Sequence, residues 1–249
     1  MVLEIRISNM FSFRDEVTLD LQAVKIQTKK ARELEGNLFS VDGEQMLKSV
    51  ALFGANASGK SNVIKAIRAC VGMVRSSHNY NVDTKLAIAP FKFEDGVDKP
   101  SSFYIRFLLD KIEYEYSFSF MHDEILTETL YYYPNGRRSL VFSRDESRGT
   151  EKKDIYEFKT AIRRPFDVAD NTSKKTLYIS RASQMDREIA QKIFLFFCND
   201  IVLDYQVANM DSLDTLFKAR KEQMLEVLRT ADSDIVDFKI QNNAITTYH

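Results

Sequence analysis

The chain of 249 residues is poor in the residues that build special frameworks: two cysteines, three histidines, four prolines and eight glycines. Cys70 and Cys198 are too few for a disulfide framework and form no C-x-x-C pair, which leaves a reduced, cytoplasmic protein without a thiolate metal site as the natural reading. His78, His122 and His249 are far apart, and their spacing gives zinc no support. No apolar run approaches the roughly 18 residues that a membrane helix needs, so no membrane partner is expected. The alternating start Met1-Val2-Leu3-Glu4-Ile5-Arg6 carries an acid early and resembles neither a signal nor a transit peptide. Charge of one sign is missing too: 35 Lys and Arg stand against 36 Asp and Glu. Nucleic-acid binding is therefore not demanded by net charge, and only a local patch would support it. With 44% apolar and 29% charged residues, the composition is that of an ordinary globular protein and excludes a disordered or collagen-like chain. There is no internal repeat.

The pattern that is present alternates strands with helices. Residues 2–8 read as a strand with Ile5 and Ile7 on one face, and Phe11–Leu21 alternates toward its end at Val17, Leu19 and Leu21. Lys25–Glu35 is charged and reads as a surface loop or short helix. Ser49–Phe53 is a short apolar run suited to a strand buried on both faces, as in parallel sheets. Ser61–Val74 turns helical, with Val63, Ile64, Ile67, Val71 and Val74 on one stripe and Gly72 marking its end.

The middle is rich in β structure. Ser102–Leu109, a turn at Asp110-Lys111, and the alternating Ile112, Tyr114, Tyr116, Phe118 and Phe120 give two strands with one wet face. Ile125–Tyr133 and Ser139–Phe142 pair around Pro134-Asn135-Gly136. In the last third, Thr176–Ile179 reads as a strand. Ser183 to Asp186 fits a capping box opening a helix that buries Ile189, Ile193, Phe194 and Phe197. Ser212 opens another helix with Leu213, Leu216, Phe217, Met224, Leu225 and Leu228 inward. Ile235–Ile240 and Ala244–Tyr248 read as two further strands.

One motif carries chemistry. Gly54-Ala55-Asn56-Ala57-Ser58-Gly59-Lys60-Ser61 is G-x-x-x-x-G-K-S, the Walker A phosphate loop. A triphosphate needs several negative charges held without clashing side chains. Gly54 and Gly59 allow backbone angles that let successive N–H groups form an anion nest. The loop runs into a helix start whose dipole faces the phosphates. Lys60 supplies a point charge near the β- and γ-phosphates, and Ser61 offers its hydroxyl to Mg²⁺. Chance gives the four fixed positions about once in a hundred chains of this size. ATP and Mg²⁺ are the implied cofactors, and a turn that binds nothing is the bland alternative.

Extended by Asn62, this loop resembles the "G-x-N-x-S/A-G-K-S-N/T" form of ABC-type ATPases in the SMC, RecF, RecN and OLD group. Ile7-Ser8-Asn9-Met10-Phe11-Ser12-Phe13-Arg14-Asp15 resembles the "I-x-N-F-x-S-F-x-D" opening of those proteins. Pro90-Phe91-Lys92-Phe93 and Leu177-Tyr178-Ile179-Ser180-Arg181-Ala182-Ser183-Gln184 resemble a bacterial AAA-type, OLD-like branch linked to phage defence. The resemblance implies an α/β P-loop NTPase of the ABC/SMC-head type: an N-terminal lobe with an antiparallel β-sheet arm and a helical subdomain. The corresponding divisions are residues 1–89 for the nucleotide core, 90–145 for the arm, and 146–249 for a strand with the helical part. It implies nucleotide contacts from Gly54, Asn56, Ala57, Ser58, Gly59, Lys60, Ser61 and Asn62. Ser12 and Arg14 are expected nearby. Gln184 is implied as a ligand to Mg²⁺ and the attacking water, beside the alternative of an exposed residue behind the Ser183 cap. It further implies a homodimer of ATP-bound heads, a nuclease or toxin partner, and DNA as a contact. The DNA candidates are the doublets Lys29-Lys30, Arg137-Arg138, Lys152-Lys153, Arg163-Arg164 and Lys174-Lys175.

Two parts of that engine are not legible. The last glycine is Gly149, so residues 150–249 hold no standard signature motif. Ile201-Val202-Leu203-Asp204 imitates Walker B, but Tyr205 stands where the catalytic Glu belongs, and a satisfied or surface Asp after an apolar run is the default reading of Asp204. The expectation is an incomplete ATPase head, either a truncated chain or one whose site a separate polypeptide completes.

Overall fold

A computed structural model describes residues 1–24, 35–41, 44–86, 88–93, 96–202, 220–231, 234–241 and 244–248. The expectations for residues 25–34, Asp204 and the 212–217 helix start lie outside them, as does the side chain of Leu228. The chain divides into two compact units, Met1–Ile201 and Val202–His249.

The first unit is built on a seven-stranded, wholly antiparallel sheet. Its strands are β1 (Val2–Ser8), β2 (Val17–Asp20), β5 (Ser101–Leu109), β6 (Ile112–Met121), β7 (Glu124–Tyr132), β8 (Ser139–Asp145) and β9 (Tyr156–Phe158). A separate hairpin pairs β3 (Leu38–Val41) with β4 (Glu44–Leu47). The order β2-β1-β5-β6-β7-β8-β9 crosses the expected boundary at residue 89, because β1 pairs directly with β5 of the arm. Asp110-Lys111 and His122-Asp123 close two hairpins with positive φ at both turn residues, as type I′ turns require.

Register explains the core. Leu19, Ile5, Ile105, Tyr116, Leu130, Phe142 and Phe158 oppose one another strand by strand across all seven strands. The neighbouring row runs Ile7, Phe103, Phe118 and then turns charged at Glu128 and Arg144 before ending at Tyr156. A register shift between Ser119 and Phe120 accompanies the irregular burial that turns both Ile125 and Glu128 inward. Each fully buried ring on this face stabilises by about 1.5–3 kcal/mol.

Helices cover the inner face: α1 (Lys60–Ser76), α2 (Lys152–Ile155), α3 (Pro165–Asp170), α4 (Tyr178–Gln184) and α5 (Glu188–Leu195). α1 buries Val63, Ala66, Ile67, Cys70, Val71, Met73 and Val74. A π turn over Phe196–Asp200 continues α5, and its two rings meet Phe107 at centroid distances of 4.3 and 6.0 Å. The Arg75 guanidinium satisfies carbonyls at the end of that turn, donating to Phe197 and, at 2.6 Å, to Ile201. No helix among the described residues is long and apolar enough to cross a membrane.

The second unit contains α6 (Lys221–Ala231) and the hairpin β10 (Asp237–Gln241) with β11 (Ala244–Tyr248). Leu225, Ile235 and Phe238 form its small core, with Met224 packed against it. Arg229 donates to the carbonyls of Ile235 and Val236 at 3.1 and 2.9 Å.

Five local expectations are corrected. Ser49–Phe53 is no strand: Phe53 is 92% exposed, and Val50 and Leu52 are exposed as well. Every described strand pairs antiparallel with others, and none of them takes Ser49–Phe53 as a neighbour. Ile64 faces outward, and α1 runs past Gly72 to Ser76. Thr176–Ile179 is not a strand but leads into α4. Ser183 is buried inside α4 and donates to the Ser180 carbonyl at 2.8 Å instead of capping a new helix.

Candidate functional site

The phosphate loop sits where the sequence requires it, directly before α1. Gly59 is the N-cap at φ 93, and Ala57 also takes a left-handed φ of 64. Ser58 N–H bonds back to the Ala55 carbonyl at 3.2 Å, and Asn62 N–H bonds to Gly59 O at 2.8 Å. Gly54 through Ser58 and Ser61 are exposed, while Gly59, Lys60 and Asn62 are half-buried. α1 opens with no side-chain cap and no acid in its first turn. The backbone N–H groups of Gly59, Lys60 and Ser61 find no acceptor among the described residues. That leaves a positive helix end with free donors, which is the arrangement an anion occupies. Lys60 Nζ donates to the carbonyls of Gly54 and Ala55 at 2.7 and 2.6 Å, so the ammonium rests on its own loop beside those donors.

A second segment supports the loop from below. The turn Met10–Phe13 closes on itself through bonds of 3.0 and 2.9 Å, and Phe11 N–H anchors it to Ala89 O at 2.9 Å. Ser12 Oγ accepts from Asn62 Nδ2 at 3.0 Å. A Cβ on Gly59 would lie 2.7 Å from Ser12 Oγ and 3.4 Å from the Phe13 ring. Ser12 therefore touches the loop. Asn62 is committed to holding Ser12, so its amide group is a positioning group. Arg14 is exposed and lies 3.3 Å from Asp15.

Sequence reasoning quoted Asn9 without giving it a task. Its buried side chain donates to Gly96 O at 2.8 Å and Lys99 O at 2.7 Å, and accepts from Phe91 N–H at 3.2 Å. Asn9 thus ties the opening segment to the Pro90–Phe93 segment beneath the loop. Its left-handed φ of 51, which Asn tolerates better than most residues, is the only local signal.

Gln184 is placed differently from the expectation. It is the exposed last residue of α4 rather than the residue after a strand. α4 is fastened beyond the far end of α1: Ser180 Oγ lies 2.9 Å from His78 Nδ1, and Arg181 donates to His78 O at 3.0 Å. At 1.5 Å per residue that end is about 25 Å from Lys60. Gln184 lies one helical turn beyond Ser180, and within this chain it is not brought to the loop.

Gly59→Ala is expected to destabilise the protein by about 1–3 kcal/mol, from the left-handed φ and the Ser12 contact together. Urea unfolding followed by circular dichroism measures this, and a loss below about 0.5 kcal/mol contradicts the geometry.

A family model described as "AAA domain, putative AbiEii toxin, Type IV TA system" matches residues 49–236. The chain belongs to this family. The matched span begins just before the phosphate loop and takes in the loop and α1, so the helix start described above lies inside the matched AAA domain. No curated protein matches the chain.

Proposed function

We propose that this AAA-family chain binds ATP with Mg²⁺ at Gly54–Ser61 and serves as the head of an ATP-driven switch. The observation that carries the reading is the uncapped start of α1, with free amides, Lys60 and Ser61 gathered on one exposed loop. Gly54, Asn56, Ala57, Ser58 and Gly59 would wrap the phosphates with backbone N–H groups, and Lys60 would leave the Gly54 and Ala55 carbonyls to meet them. Ser61 would offer a hydroxyl to the metal, and Asn62 would hold Ser12 against the loop. Bound Mg-ATP supplies a phosphoryl group for transfer to water. The protein's part is positioning and charge stabilisation.

Two heads would close over nucleotide as a homodimer in the cytoplasm, and hydrolysis would reopen them. The family description joins an AAA domain to a toxin–antitoxin system. That supports an effector partner, a toxin or nuclease, released in phage defence or DNA maintenance. Calorimetry with Mg-ATP tests the binding step: heat of binding from the wild-type chain is expected, and its absence in folded protein overturns the proposal.

The position of Gln184 favours a second reading, in which the chain binds ATP as a regulatory scaffold and hardly turns it over. Steady-state phosphate release separates the two: turnover abolished by Lys60→Ala supports the switch, and binding without release supports the scaffold.

A further inference from the structure

Of the four doublets among the described residues, Lys152-Lys153 and Lys174-Lys175 are engaged at both positions and Arg137-Arg138 at Arg138. Arg138 pairs with Glu115 at 2.6 Å and lies over the Tyr131 ring. Lys152 donates to Thr172 O and Lys153 pairs with Glu151. Lys174 reaches Glu124, and Lys175 donates to Thr84 O. Arg163 and Arg164 differ: both are exposed, and neither guanidinium makes a hydrogen bond or close ion pair among the described residues, the charge of Arg164 reaching only Asp167 through space. They line one cleft together with Arg187, Asp186 and Glu188.

The cleft's charges are already sorted. Arg187 is fixed by Asp167 at 2.6 and 2.8 Å and by Met185 O at 2.7 Å, while its buried Nε–H has no acceptor among the described residues. Glu188 pairs with Lys192 at 3.2 Å, and Asp186 accepts from Gln191 at 2.9 Å. Two guanidinium groups without a hydrogen-bonded partner therefore stand on one wall, the charge of Arg164 partly offset by the Asp167 carboxylate, and two carboxylates stand on the other.

We propose that this cleft, between residues 161–164 and 186–189, binds a small phosphate anion: inorganic phosphate or a small phosphate monoester. Planar guanidinium forks match the oxygens of a phosphate with paired hydrogen bonds. Asp186 and Glu188 limit the ligand's length. A run of phosphates would extend one of them toward a carboxylate, so a nucleic-acid backbone or a polyphosphate is disfavoured. The site is independent of the phosphate loop, and the test is arranged to keep the two apart.

The test titrates inorganic phosphate into the 249-residue chain carrying Lys60→Ala at constant ionic strength, observed by amide NMR. Saturable shifts are expected at residues 161–164 and 186–189. Arg163→Gln with Arg164→Gln in the same background is expected to weaken binding at least tenfold. Both side chains are exposed, so the fold should survive, and an unchanged amide spectrum elsewhere checks this. Tripolyphosphate is expected to bind the parent no more tightly than phosphate and to gain severalfold in Glu188→Gln. Phosphate affinity within twofold of the parent in the double variant overturns the proposal. So does arginine-dependent binding of a single-stranded oligonucleotide that is tighter than that of phosphate.

Discussion

Arg144→Met is expected to lower folding stability by about 3–5 kcal/mol at neutral pH. Arg144 is among the largest fully buried side chains, and it opposes Glu128 directly across β7 and β8. It donates to Thr176 O and Glu146 at 2.7 Å and to Ser173 O at 3.3 Å. Glu128 in turn accepts from Tyr116 Oη at 2.8 Å and from the first two amides of α4, Tyr178 at 2.5 Å and Ile179 at 3.0 Å. Removing Arg144 leaves a carboxylate buried without its countercharge and two carbonyls without their donor. Burial pushes the Glu128 carboxyl above its ordinary range, against the opposing pull of Arg144, the two amides and the Tyr116 hydroxyl. A carboxyl with a raised folded value binds more protons folded than unfolded, so its contribution is lost as pH rises through that value. Without Arg144 the value climbs further. The variant's deficit should therefore be smallest at acidic pH, where the carboxyl is protonated folded and unfolded, and widen toward neutrality. Urea unfolding at several pH values measures it, and a deficit below about 1 kcal/mol at neutral pH would remove the network from the stability argument.

Lys60→Ala is expected to weaken Mg-ATP binding by roughly ten- to a hundredfold, the worth of about 1.5–3 kcal/mol for a hydrogen bond to a charged group. Turnover, where the wild type shows it, should fall further, by about a hundred- to a thousandfold, as for other losses of a preorganised charge at a transferring group. The fold should hold, because the ammonium is bonded only to two exposed loop carbonyls. Equal Mg-ATP affinity in wild type and variant would mean that the ammonium never leaves those carbonyls.

What the sequence disclosed was local. The phosphate loop, the Asp110-Lys111 turn and the alternation of Tyr114, Tyr116, Phe118 and Phe120 each depend on neighbours in the chain, and each appears where expected. α4 was hidden because its cap is not local. Leu177 stands at the N-cap with nothing to offer, and the carboxylate that satisfies the helix start is Glu128, 50 residues earlier. The nearby Ser183 and Asp186 mimic a cap. In fact Ser183 bonds inside α4, and Asp186, at φ 57, follows its end. Ser49–Phe53 misled for the opposite reason: its composition suits burial on both faces, but the described strands are all committed elsewhere. The Arg163-Arg164 cleft could not be seen from one doublet, since its other wall comes from more than 20 residues further along.

α1 is gripped at both extremities. Ser12 and Asn62 hold its beginning, and Arg75 near its end grasps the carbonyls that close the π turn. It contains no proline, and its buried stripe is continuous from Val63 to Val74. Such a strut does not absorb a push by bending. Its two held ends lie about 20 Å apart, so a shift of the loop that carried α1 as a rigid body would also move the carbonyls of Phe197 and Ile201 that Arg75 holds.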